Sequence, residues 1–263
     1  MAAAWRLLAL AASISSDPYE QATHSEFYAG LFAIRGESLL LNFLHSLTSP
    51  GELGPLIAVR PLVELAIRSK WVSLDPELHG ERWLAHSEQR DLIAIRGLLE
   101  NIGPRVNPRL PEEFIAAQVE LKTQLVDAVK RKPGRDGRVH ASPLPDLAEM
   151  VREISKAEPE ESLAMHQAYD GTYRGFSPWA HAEAASFKAG VITAEGGSRF
   201  EGDISPFDVG TVLAVAGSMF AYVLEILASA RGEYGIEHQA REIRTLFTGR
   251  QDAQSAELAQ DRT

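Results

Sequence analysis

The sequence predicts an all-α protein, a multi-helix bundle with one short β-hairpin excursion. Three observations carry that prediction. Apolar residues recur at spacings of three, four and seven through most of the 263 residues, which is the period of one helix face. Ser-Pro, Asp-Pro or Pro-Glu pairs stand where most of these stretches begin, and Gly or Pro where several of them stop. A run suited to strands occurs once, at Val191-Ile192, with Gly196-Gly197 and Phe200 following it. Seven to nine helices are expected, in a single domain over 19–248. Residues 1–18 form an N-terminal segment whose docking is left open, and 249–263 form a polar C-terminal tail.

Taken in order, the start MAAAWRLLALAAS carries one charge, Arg6, and a short apolar run. It reads as an amphipathic or frayed first helix rather than an export signal, which would have a longer apolar run and more charge before it. Tyr19 to Leu47 places Phe27, Leu31, Ile34, Leu41 and Leu44 on one face and ends at Ser49-Pro50-Gly51. Pro55 to Leu74 is a second helix in which Pro61 falls in the first turns or makes a kink. Its Arg60, Glu64 and Arg68 stand at i, i+4 and i+8, a stripe that is either a solvated face or a partly buried network with Arg60 and Glu64 as its structural ion pair. Asp75-Pro76 opens a third helix to about Ile102, closed by Gly103-Pro104. Pro111-Glu112-Glu113 opens a fourth to Lys130, with acids in the first turn where the helix dipole favours them.

The stretch 130–145 is different. Lys130, Arg131, Lys132, Arg135 and Arg138 cluster around Pro133, Gly134 and Gly137 without apolar period. It reads as a basic loop, either a solvated linker or a phosphate-contacting patch. Asp146 to Lys156 and Glu160 to Arg174 are two further helices. Ser177-Pro178 begins another by the pairing of a good N-cap with proline at the first helical position. Ser205-Pro206 repeats that device ahead of a long apolar helix to Arg231, and a last helix covers about Gly235 to Phe247.

Composition excludes several classes. A net charge of −10 argues against a protein that binds nucleic acid over its whole surface, while leaving room for a local basic site. With no cysteine, disulfides and thiolate metal sites are ruled out. Phe207 to Ala230 approaches the length of a bilayer span, but Asp208, Glu225, Gly210, Gly217 and Ser218 mark it as a buried core helix. Phosphate-loop, dinucleotide and nucleophile-elbow motifs are missing, as are HExxH and ExxH pairs. The eight histidines are scattered; His79 and His86 lie seven apart without a carboxylate to complete a metal set, so no metal and no cofactor are expected.

Chemistry concentrates in Tyr169 to Ser186, YDGTYRGFSPWAHAEAAS. Arg174 and His181 are seven residues apart, roughly 10 Å along the axis of an unbroken helix and on nearly one face. A break at Pro178 changes that separation and puts His181 in the first turn of a helix, where free N–H groups attract an anion. Tyr173, Ser177, Glu183 and His166 are near enough to support such a site. The plain structural alternative is an aromatic helix corner built from Tyr169, Tyr173, Phe176 and Trp179, with His181 a core residue satisfied by one hydrogen bond.

Arginine, six residues, then histidine at a helix junction of an all-helical protein resembles the motif of HEPN domains (higher eukaryotes and prokaryotes nucleotide-binding). VRPLVELAIRSKW at Val59 to Trp71, with Tyr169, Tyr173, Ser177 and His181, also resembles an uncharacterised bacterial family suspected to be HEPN-like. The resemblance spans about residues 20 to 230. It implies a cytoplasmic, homodimeric, metal-independent endoribonuclease of a toxin, antiphage or stress-response system, with no membrane association. In that reading Arg174 and His181 are the catalytic pair, and the 2′-hydroxyl of RNA is the nucleophile. Gly175 after the arginine and Pro178 inside the motif depart from active members. The alternative is a non-catalytic helical interaction module that binds a partner protein or a nucleotide.

Overall fold

The computed structural model describes residues 1–15, 22–47, 53–102, 112–131, 142–174, 191–194, 197–200 and 209–260. Among these are nine α-helices. They are α1 (Ala2–Ser15), α2 (His24–Ser46), α3 (Leu53–Leu74), α4 (Pro76–Ile102), α5 (Glu112–Lys130), α6 (Leu147–Ala157), α7 (Ser162–His166), α8 (Val209–Arg231) and α9 (Tyr234–Gln260). A 3₁₀ turn, Pro159–Glu161, precedes α7, and a π-helical turn, Gln167–Tyr173, follows it.

The core forms around α8, whose Val212, Ala216, Phe220, Ala221, Val223, Leu224 and Leu227 are buried. It packs against α9, α3 and α2, and α2 and α3 pack against each other. Phe32, Leu40 and Phe43 of α2 meet Leu62, Ile67 and Trp71 of α3 within one continuous apolar cluster. The helix is long and apolar enough to cross a bilayer, yet 72% of its most apolar window is buried inside the protein. Its close approach to α9 depends on Gly217, where an added Cβ would lie 2.3 Å from the Phe247 ring.

The ends of several helices are set by local chemistry. Thr23 caps α2 in a reciprocal box: its Oγ1 accepts from Glu26 N at 3.3 Å, and its own N–H donates to Glu26 Oε2 at 2.7 Å. The helix therefore starts at His24, five residues after the Tyr19 expected from apolar spacing. Asp75 accepts from Leu78 N at 3.1 Å and Asp146 from Glu149 N at 2.8 Å, the starts anticipated at Asp75-Pro76 and Asp146. Gly232, at φ 68°, ends α8 in a Schellman arrangement: its N–H reaches Ser229 O at 3.1 Å, and Glu233 N reaches Ala228 O at 2.8 Å.

The N-terminal segment docks. Ala4, Leu7, Leu8, Leu10, Ala11 and Ile14 of α1 are buried, and Arg231 donates to Ile14 O at 2.8 Å. On another side, α6 and the π-helical turn pack on α3. Trp71 Nε1 donates to Glu153 Oε2 at 2.6 Å, and Lys70 pairs with Glu158 at 2.5 Å, so α3 is tied to α6 and to the residue after it. α4 packs on α2 and α3 and carries α5. Lys122 of α5 bridges Glu88 and Asp91 of α4, and Arg96 donates to Thr123 at 3.1 Å. Pro61 stands inside α3, which runs through it from Leu53.

The β-hairpin expected as part of the fold is withdrawn. Among the described residues the bundle is helical and takes no strand into its packed layers. Val191–Ala194 and Gly197–Phe200 are two four-residue extended runs paired only with each other. A lone two-stranded ribbon is marginal and adds no layer to a fold. Val191-Ile192 and the glycine pair register a local preference, and local preference alone supplies no sheet face for helices to cover. The class is all-α.

Candidate functional site

Arg174 is held at the end of the π-helical turn, where its N–H bonds back to Tyr169 O. One extra residue per turn is an uncommon winding that recurs at functional sites, because it re-aims the side chains that follow. The turn is braced from α3. Arg60 donates to the Tyr173 hydroxyl at 2.8 Å, and a guanidinium carbon of the same residue stands 4.4 Å from the Tyr173 ring centroid. Tyr169 and Tyr173 stack with centroids 5.8 Å apart and planes within 16°. A cation over a ring in this half-buried setting contributes about 1 kcal/mol. Of the four aromatics of the expected corner, Tyr169 and Tyr173 stack on each other beside an arginine from another helix, and Phe176 and Trp179 lie outside the described residues.

Outward from this clamp lies a polar triplet. Asp170 accepts from Arg174 at 3.2 Å and stands 3.3 Å from His166 Nδ1. The three side chains are 51%, 67% and 47% exposed, respectively. Exposed pairs of this kind contribute little to stability and are screened by salt, so Arg174 can exchange Asp170 for an incoming anion at small cost. His166 reaches the same carboxylate through Nδ1.

Of the residues singled out from sequence, Arg60, His166, Tyr173 and Arg174 come together. Ser177, His181 and Glu183 lie outside the described residues. Glu64 is placed on Arg68, 2.5 Å away, while Arg60 turns to Tyr173. Lys130 ends α5 and Arg131 follows it; Lys132, Arg135 and Arg138 lie outside the described residues. α5 packs on α4, whereas the π-helical turn packs on α3 and α7, so Lys130 and Arg174 stand on different parts of the bundle. Among the described residues no three His, Asp or Glu side chains stand close enough to hold a metal ion.

Sequence reasoning missed a second polar cluster, built on α8 and α9. Glu225 is 7% exposed, with Arg244 Nε 2.7 Å from Oε1 and Arg241 Nε 3.8 Å from Oε2. Burial pushes its carboxyl up to about 7, against the pull of the two arginines. The Arg244 guanidinium lies 5.1 Å from the Tyr222 ring centroid. Tyr222 is buried at 4% exposure, and burial, then the charge of Glu161, raises its hydroxyl well above the ordinary range. The signal was present in the sequence: a lone acid in a long apolar helix, and two arginines three apart in the helix that follows.

The model of a family of unknown function (DUF5677) matches residues 47–198, a span that includes Arg60, His166, Tyr173, Arg174, Ser177, His181 and Glu183. No curated protein and no solved structure matches the chain.

Proposed function

The chain belongs to this family of unknown function, and from that premise we propose that it is a HEPN-like, metal-independent endoribonuclease. The observation that supports the reading is Arg174: an exposed guanidinium at the end of a π-helical turn, with the Arg60–Tyr173 clamp behind it and, among the described residues, Asp170 as its ion-pair partner. In the reaction, the ribose 2′-hydroxyl attacks the adjacent phosphorus while His181 takes its proton. The P–O5′ bond breaks, the leaving oxygen is protonated, and a 2′,3′-cyclic phosphate remains. Arg174 neutralises the charge that builds on the non-bridging oxygens. The setting is a cytoplasmic toxin, antiphage or stress-response system, with two copies placing their motifs face to face.

The test uses purified protein with structured and unstructured end-labelled RNA in EDTA. Cleavage to 2′,3′-cyclic ends is expected, abolished by His181→Ala and reduced at least 100-fold by Arg174→Ala, since a preorganised charge on a transition-state oxyanion contributes about 3 kcal/mol. Full activity of either variant, with its helical content intact, removes this mechanism. One observation favours a second reading, a non-catalytic module that binds a partner protein or a nucleotide: Asp170 already occupies Arg174, as in a resting structural pair. RNA or nucleotide binding without any cleavage by the wild type decides for that module.

A further inference from the structure

A helix needs one apolar side to join a bundle, and α5 has two. Toward α4 it turns Lys122 and Thr123, which bond across to that helix, and the buried Val126. At about 100° per residue, the opposite side carries Phe114, Ala117, Leu121, Leu125 and Ala128 within an arc of about 80°. All five are exposed, the three large ones to about half of their surface. Their spacing of three, four, four and three residues is that of a coiled-coil seam. One edge of the seam carries a second row on the same seven-residue repeat, Glu113, Glu120 and Asp127, each just before Phe114, Leu121 and Ala128. These acids are exposed too. Glu120 accepts from Gln124 at 3.2 Å, and among the described residues no lysine or arginine pairs with any of the three.

The residues that edge a coiled-coil seam form the ion pairs that choose its partner. The acidic row disfavours a second copy of α5. In an antiparallel two-fold pair like edges meet, so Glu120 would stand beside its own copy and Glu113 would face Asp127 across the axis. In a parallel pair the row would meet the opposite edge, whose cation, Lys122, already bridges Glu88 and Asp91. We propose that the outer side of α5 docks an amphipathic helix of another protein, one whose apolar seam is edged by lysine or arginine. The seam supplies the contact area, and the acidic row admits a basic edge while rejecting an acidic one. A net charge of −10 on the whole chain steers the same kind of partner toward it. α5 rests on α4 and the π-helical turn on α3, so this surface goes beyond the ribonuclease reading and its test needs no RNA.

The experiment uses the full chain at 150 mM NaCl with three fluorescein-labelled peptides of three heptads, read by fluorescence anisotropy. The first has leucine along the seam and lysine on both edges. The second has glutamate on both edges, and the third keeps the lysines with serine along the seam. Saturable binding is expected with the first peptide and none with the other two. Leu121→Ser is expected to weaken it at least tenfold with far-UV circular dichroism unchanged, because that side chain already stands half in water. Glu120→Lys combined with Asp127→Lys is expected to lose the first peptide and bind the second; Glu113 is kept, since an acid suits the first turn of a helix. No binding of the first peptide by the parent overturns the proposal, as does equal binding of the serine peptide or an affinity unchanged in both variants. Sedimentation showing that the parent pairs with itself and that Leu121→Ser is a monomer gives the face to a second copy, and overturns it as well.

Discussion

Two clusters of arginine and carboxylate sit in this molecule, and they differ chiefly in how much water each keeps. At the end of the π-helical turn, Asp170 holds Arg174 and His166 with all three side chains about half exposed or more. Between α8 and α9, Glu225 holds Arg244 and Arg241 with its own side chain 8% exposed. The residue types are nearly the same. In the first cluster water screens the charges, so the pairs are weak, exchangeable and available to a ligand. In the second the carboxylate has lost its hydration, so its charged form is disfavoured and each arginine beside it matters to stability. Solvent access separates a site free to bind from one committed to holding two helices together.

The sharpest way to test that contrast is the proton on Glu225. Its carboxyl is raised to about 7 from an ordinary 4.5. A raised acid contributes stability that is fully present below 4.5 and is lost as pH rises through about 7, because the folded state holds a proton the unfolded chain has released. At about 1.4 kcal/mol for each pH unit between the two values, the window amounts to on the order of 3 kcal/mol. Glu225→Gln cannot titrate, so the difference in unfolding free energy between it and the parent should change by about that amount between pH 4.5 and 8. Urea denaturation at a series of pH values measures it. Parallel pH curves for the two proteins would mean that Glu225 keeps its water.

Arg244→Ala acts on the same carboxylate from the other side. It strips Glu225 of its nearest cation and leaves Arg241 at 3.8 Å. Breaking a fully buried pair costs about 3 to 5 kcal/mol; with Arg244 itself 26% exposed, about 2 kcal/mol is the expected loss at pH 8. The loss should shrink toward pH 5, where the folded protein protonates Glu225 and needs the arginine less. A loss independent of pH would place the contribution of Arg244 in its packing on Tyr222 instead.

The same contrast explains what the sequence made legible. Asp75-Pro76 and Asp146 were readable as helix starts because an N-cap is a contact between residues three apart, and the period of the apolar face was readable for the same local reason. The Thr23–Glu26 box was equally local, but apolar spacing that extended past it to Tyr19 outweighed it. The hairpin fails in the other direction: Val191-Ile192 carries a local strand preference, and two short runs paired with each other add no layer to a fold. The π-helical turn changes the winding by one residue, which no apolar period registers, and the side chain that holds its Tyr173 comes from Arg60, 113 residues away. Glu225 was noticed only as a charge ill-suited to a membrane span; its partners come from the next helix, and spacing along one helix cannot supply them.

The smallest effect on stability, and the most informative for the exposed cluster, belongs to Asp170→Asn. The substitution keeps the side-chain shape and removes the charge that holds Arg174 and His166. Because the pairs are exposed and local, unfolding free energy should stay within about 0.5 kcal/mol of the parent. The consequence for an anion should be opposite in sign. With Asp170 neutral, Arg174 no longer exchanges one negative partner for another, so RNA should bind more tightly and with a steeper dependence on salt. Fluorescence anisotropy with a labelled single-stranded RNA between 50 and 300 mM NaCl reads both quantities. Unchanged RNA affinity in Asp170→Asn, with an unchanged salt slope, would mean that Arg174 does not meet phosphate. The exposed cluster would then be surface decoration on the Arg60–Tyr173 clamp, whatever its likeness to an arginine–histidine motif.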